Sequence, residues 1–125
     1  MTWHAPAIVK TGEIFWCEPD PNDTIGSEIE KDRMWVIVSA THLHRGKCVV
    51  GVPLTSNTDK ALAHLVKIPK EKLVLDGGKP PVDSVALTDQ IRALDKTRFR
   101  RKAGHISLDG LRAIQLGLSR LFDLD

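Results

Sequence analysis

Apolar residues in this 125-residue chain gather in short runs divided by polar or turn-forming stretches, and only near the C-terminus do they fall into a helical interval. EIFWC, 13–17, predicts a strand that stops at PDPND, where two prolines and an Asn-Asp pair make a loop. MWVIVSA, 34–40, is a continuous β-branched and aromatic run, too short for a helix and apolar on both faces, and predicts a central strand. THLHRGK turns the chain, and CVVGVPL, 48–54, reads as the antiparallel neighbour. After SNTDKAL, HLVKIP alternates as a half-buried strand; DGGKPP breaks the chain, and SVALT, 84–88, is a last short strand.

From Ser107, an N-cap candidate, Leu108, Leu111, Ile114, Leu118 and Leu121 recur at three- and four-residue intervals and predict one helix with an apolar stripe. Gly110 and Gly117 weaken that helix by about 1 kcal/mol each relative to alanine, so packing must hold it. Short antiparallel strands leave edges that closure removes, which favours a small mainly β, SH3-like barrel of about five to seven strands with a C-terminal helix.

Composition adds bounds. The length suits one domain over 1–125, with 1–11 expected as a flexible N-terminal extension; 42% apolar and 27% charged residues are ordinary for a soluble globular chain. No run approaches a membrane span and the N-terminus lacks a signal-peptide pattern, so the expected compartment is the cytoplasm, with no membrane partner. Cys17 and Cys48 flank strand-like runs without metal-ligand spacing and are expected as two buried free thiols, with no metal and no cofactor. The net charge of +2 conceals a division. Residues 13–32 hold seven acids against Lys31, giving −6, whereas 92–120 hold eight basic residues against Asp95 and Asp109, giving +6. A basic block of that kind suits a polyanion or a solvated face.

The order of segments is more specific than any one of them. GEIFWCEPDP, then GSEIEKDR, a buried strand, VPLTSN, SVALTDQIRALDKTRF and a terminal amphipathic helix resemble the MazF/PemK family of toxin endoribonucleases from about Gly12 to Leu124. The resemblance implies a homodimer, metal-independent cleavage of single-stranded RNA as the toxin of a type II toxin–antitoxin pair, and inhibition by an acidic antitoxin. It sets Arg33 at the family's catalytic arginine and Thr55 at its catalytic threonine. Gly26, Ser27 and Glu28 fall on the loop motif before that arginine, and Asp89, Gln90 and Arg92 on the later motif, where a structural or dimer-interface role is expected. Two departures stand out: Met34 replaces the family's usual proline, and Leu87 takes a position where some relatives carry a catalytic arginine.

The implied reaction is attack of a ribose 2′-hydroxyl on the adjacent phosphorus, with departure of the 5′-oxygen and formation of a 2′,3′-cyclic phosphate. It needs a proton acceptor, a proton donor and donors for the charge that grows on the non-bridging oxygens. Arg33 offers a permanently charged planar fork for two phosphate oxygens and is a poor base; Thr55 offers a hydroxyl; Glu28 is the candidate base or orienter of Arg33. RNA contacts are expected from Ser27, Lys31, Ser56, Asn57, Arg98 and Arg100. KTRFRRK, 96–102, reads either as a phosphate-binding loop with Phe99 as a stacking ring or as a solvated loop with Phe99 in the core. Trp16 and Trp35 read as core residues, and His42, His44, His64 and His105 as polar surface or capping groups. Seven acids ahead of Arg33 would repel RNA unless they turn away or pair with the basic block. Two other readings stay open: a CcdB-like toxin that binds gyrase without catalysis, and a degenerate relative that binds RNA or protein without turnover.

Overall fold

A computed structural model describes residues 6, 8–18, 32–41, 46–58, 65–78 and 80–124. The doubly apolar run lies mid-sheet, as its pattern demands. Strand β2 (Arg33–Ile37) pairs antiparallel with β1 (Glu13–Cys17) on one side and β3 (Cys48–Thr55) on the other. The remaining strands are β4 (Val66–Ile68), β5 (Leu73–Leu75), β6 (Ser84–Ala86), β7 (Arg92–Asp95) and β8 (Phe99–Ile106), followed by helix α1 (Leu108–Leu121). Seven strands run in the order β4-β6-β3-β2-β1-β8-β5 and curl into a nearly closed antiparallel barrel, while β7 pairs β3 beside this path. No helix among the described residues is long and apolar enough to cross a membrane.

Alternation along the central strands divides the core in two. Ile14, Val36, Val52 and Leu54 face the barrel interior with Ile68, Leu73, Ala86, Ala103, Ile106 and Ile114 from α1. On the other face Phe15, Cys17, Ile37 and Val49 meet Val9, Leu94 and Phe99, with Trp35 packed against them. Val9 is fully buried there, and Thr11 accepts and donates hydrogen bonds with Thr41 and Ser39, so the residues just before β1 pack with the sheet.

Several boundaries differ from the pattern's expectation. The β2 run was expected to reach residue 40, but the strand ends at Ile37: the N–H groups of Val38 and Ser39 both turn onto the Val50 carbonyl, and the Ser39 hydroxyl accepts from Val50 N at 2.9 Å. SVALT forms a ladder only to Ala86, after which Thr88–Gln90 make one 3₁₀ turn. KTRFRRK is not a loop. Lys96–Arg98 form a 3₁₀ turn that Asp95 caps by accepting from Thr97 N, and the rest belongs to β8. Phe99 is buried and stacks on Phe15 with centroids 4.7 Å apart, which assigns it to the core. Of the two cysteines, both free, only Cys17 is buried; Cys48 opens β3 at the sheet margin opposite Asp95 and is exposed.

Helix α1 begins where the sequence places it, with the Ser107 hydroxyl accepting from Gly110 N at 3.1 Å. Its seam differs from the leucine stripe. Gly110, Ile114 and Gly117 are buried, Leu111 and Leu118 half-buried, and Leu108 is 60% exposed because it opens the helix beyond the sheet. A Cβ on Gly110 would stand 2.7 Å from Ile106 Cγ1 and 3.2 Å from Lys72 Cβ, so the glycine lets the helix sit against β8.

Candidate active site

Arg33 is the first residue of β2, held across the ladder by the fully buried Cys17 of β1. Between β2 and β3 the register pairs Trp35 with Pro53 and Val36 with Val52. Trp35–Pro53 is the last pair of that ladder, and Arg33 and Thr55 each lie two residues beyond it, at the same end of the two adjacent strands. Thr55 is the last residue of β3 and pairs Val85 of β6 on its other side. Both are half-buried, a position from which polar ends reach solvent while backbones stay fixed by neighbouring strands.

The Thr55 hydroxyl oxygen accepts from Asn57 N at 3.2 Å. That turn is the local backbone role open to any strand-end threonine, and it also orients the hydroxyl, whose own proton can still be donated outward. Ser56 and Asn57 follow as exposed residues at the same rim. Gly26, Ser27, Glu28 and Lys31 lie outside the described residues, as do His42, His44 and His64. Among the described residues no group of three His, Cys, Asp or Glu gathers at metal-binding geometry.

The described acids at the two ends of the acidic segment meet the basic block directly. Lys102 pairs with Glu13 at 2.6 Å, and Arg100 pairs with Glu18 at 2.8 Å and with Asp32 at 3.9 Å. Asp32 immediately precedes Arg33, so a carboxylate next to the candidate catalytic group is drawn toward another guanidinium. Arg98 donates from Nη2 to the Glu18 carbonyl at 2.6 Å, and Glu18 N donates back to the Arg98 carbonyl at 3.0 Å. This reciprocal pair extends the β1–β8 junction past Cys17. Arg101 lies over the Trp16 ring, 5.5 Å from its centroid, and faces Trp16 in the register. Of these partners only the −6 and +6 blocks were visible in the sequence; which acid meets which base depends on the β1–β8 register.

Burial pushes the Cys17 thiol up to about 12, with Arg98 opposing and Asp32 adding to the rise. A neutral, inert thiol therefore stands behind Arg33, and packing is its contribution there. Asp89 and Gln90 are exposed on the 3₁₀ turn against which α1 packs, Arg92 opens β7 opposite Gly51, and Leu87 is buried with its N–H on the Pro53 carbonyl. His105 is an exposed strand residue opposite Glu13.

Residues 10–122 match the model of the PemK-like, MazF-like toxin of type II toxin–antitoxin systems. The chain is 32% identical over 124 residues to endoribonuclease MazF9 of Mycobacterium tuberculosis, covering 94% of this chain and 98% of that one. Its fold superposes on MazF of Deinococcus radiodurans with a TM-score of 0.69 at 20% identity, over 93% of this chain and 97% of that chain. A mycobacterial endoribonuclease in complex with its cognate antitoxin superposes with a TM-score of 0.66 at 23% identity, over 97% and 98%. With a family match across nearly the whole chain and the barrel that goes with it, this protein belongs to the PemK-like, MazF-like toxins of type II toxin–antitoxin systems.

Proposed function

We propose that the protein is an endoribonuclease that cuts single-stranded RNA by internal transesterification, with Arg33 and Thr55 acting on one phosphate. The observation that supports this reading is that Arg33 opens β2 and Thr55 closes β3 at the same end of two adjacent strands, each two residues past the Trp35–Pro53 pair. The Arg33 fork binds the two non-bridging oxygens and compensates their growing charge as the pentacoordinate state forms. Thr55 donates its hydroxyl proton to the same phosphate while Asn57 N–H fixes its oxygen. The 2′-hydroxyl proton goes to a base, for which Glu28 is our candidate; as the 5′-oxygen leaves it takes a proton from solvent or from a donor at the site. Charge stabilisation by a guanidinium and proton transfer to a carboxylate complete that step without a metal ion.

Ser27, Lys31, Ser56, Asn57 and Arg98 are proposed to line the RNA path, and Asp89, Gln90 and Arg92 to serve the fold or a homodimer interface. The toxin would work in the cytoplasm, as a homodimer, restrained by an acidic antitoxin. A relative solved with its cognate antitoxin supports that partner.

The test is incubation of the purified protein with a long RNA in EDTA. Discrete cuts ending in 2′,3′-cyclic phosphate are expected, with Arg33→Ala and Thr55→Ala each slowing cleavage about 10²- to 10³-fold. Glu28→Gln should flatten the acidic limb of the pH–rate profile. Intact RNA alongside arrested growth on expression would instead identify a toxin that acts by binding.

A further inference from the structure

Arg100 owes its position to a break in the β1–β8 ladder. Trp16 faces Arg101 and Cys17 faces Phe99, so Arg100 is the additional residue between two successive pairs. Such a bulge re-aims the side chain it carries. Here the guanidinium is directed to the end of the sheet where β1 finishes and β2 begins, and Glu18 and Asp32 meet it from those two strand ends. Glu18 cannot drift freely, since Arg98 holds its backbone from both sides. Arg33 is one residue beyond Asp32, and β2 and β8 flank β1, which separates the Arg33 and Arg100 backbones by roughly 10 Å.

The three charged side chains remain 58% (Arg100), 38% (Glu18) and 44% (Asp32) exposed. Ion pairs at that exposure contribute little and open readily. A phosphate offers the same fork two oxygens in one plane, and an RNA strand adds the release of its condensed counterions. A backbone phosphate is therefore the stronger partner of the two.

We propose that Arg100 is a phosphate subsite for the RNA strand passing Arg33, kept occupied in the RNA-free protein by Glu18 and Asp32, which the incoming phosphate displaces. This rests on the reading of the chain as a single-strand endoribonuclease and adds to it a built-in competitor for substrate. Glu18 and Asp32 then act as an internal stand-in for RNA, setting a threshold that only a correctly placed polyanion overcomes.

The test measures binding of a short fluorescein-labelled 2′-O-methyl RNA of mixed sequence, which has no free 2′-hydroxyl to attack, by anisotropy over a range of NaCl concentrations. Glu18→Gln with Asp32→Asn should tighten Kd about two- to fivefold. Arg100→Gln should weaken it roughly tenfold and lower the slope of log Kd against log salt by about 0.7. In the Arg100→Gln background the paired acid substitutions should bring little further gain. Arg100→Lys, which keeps the charge without the fork, should hold the salt slope while losing affinity. An equal gain with and without Arg100 would reduce the acids to general repulsion and overturn the proposal, as would unchanged affinity and slope in Arg100→Gln. Cleavage of RNA in EDTA by the unmodified protein, run in parallel, separates the two levels. If it cuts and these variants bind alike, only this inference fails; if it neither cuts nor binds, the reading beneath fails and takes the inference with it.

Discussion

Cys17 shows what a single position contributes next to the candidate site. It faces Arg33 on one side and Phe99 on the other, and burial pushes its thiol from 9.0 up to about 12. In the unfolded chain the same thiol ionises near its ordinary value, so above pH 9.0 the unfolded state loses its proton first. Stability should therefore fall as pH rises from 9.0 toward 12, and Cys17→Ala should lose that part of the fall, read as urea midpoints on the two proteins in parallel. Cys48 is exposed, so a thiol reagent applied to the folded protein near neutrality should label Cys48 and reach Cys17 only after denaturation. The sequence held both cysteines equally close to apolar runs. Only the sheet shows that one lies in the second core and the other at a strand's open end.

At the scale of elements, glycines set how closely strands and helix approach. Gly104 in β8 has φ +152°, and a Cβ there would fall 1.9 Å from the Val74 carbonyl oxygen of β5. Because that obstacle is backbone, Gly104→Ala must break the β5–β8 pairing and should cost about 3 kcal/mol, seen as a lower urea midpoint. At Gly110 the contest is closer: alanine gains about 1 kcal/mol of helix propensity, while overpacking against the buried Ile106 costs about 1–3 kcal/mol. A small net loss at unchanged m-value is the expected result. The elements that pattern alone revealed are β1, the centre of β2, β3, β4 within HLVKIP, β6 within SVALT, and α1. Strand β8 escaped because bulges at Arg100 and near Ala103 interrupt its alternation, leaving three consecutive exposed residues that read as loop. Strand β5 is three residues between Lys72 and Asp76, and β7 has only two apolar residues, Ala93 and Leu94, between charged Arg92 and Asp95, so neither shows an alternation of its own. Arg33 and Thr55 were legible as two motif residues on successive strands, whereas the Arg100 clamp was not, since a bulge on a strand unseen in the pattern creates it.

Across the whole molecule the organising fact is that the first strand pairs with the last. Glu13 faces His105, and Glu18 and Lys102 find partners roughly eighty to ninety residues away along the chain, so these opposite charges meet only once β1 and β8 have joined. The same junction carries the core contact of Phe15 with Phe99 and the Arg98–Glu18 backbone pair. Closing a loop of that length costs conformational entropy before any of these contacts returns it. Exposed charge pairs add little to offset that cost and are screened within about 8 Å in physiological salt, so apolar burial across the junction must drive closure. Folding should then be slow for a chain of this size, in the millisecond-to-second range of barrels built from distant pairings. Stopped-flow refolding followed by the fluorescence of Trp16 and Trp35, both half-buried on the central strands, reads this directly. Raising the salt should leave the folding rate nearly unchanged while weakening RNA binding steeply, because the first depends on buried apolar surface and the second on neutralised phosphates. A folding rate that changed with salt as steeply as RNA affinity does would mean that the charged segments, and not the two apolar cores, bring the chain ends together.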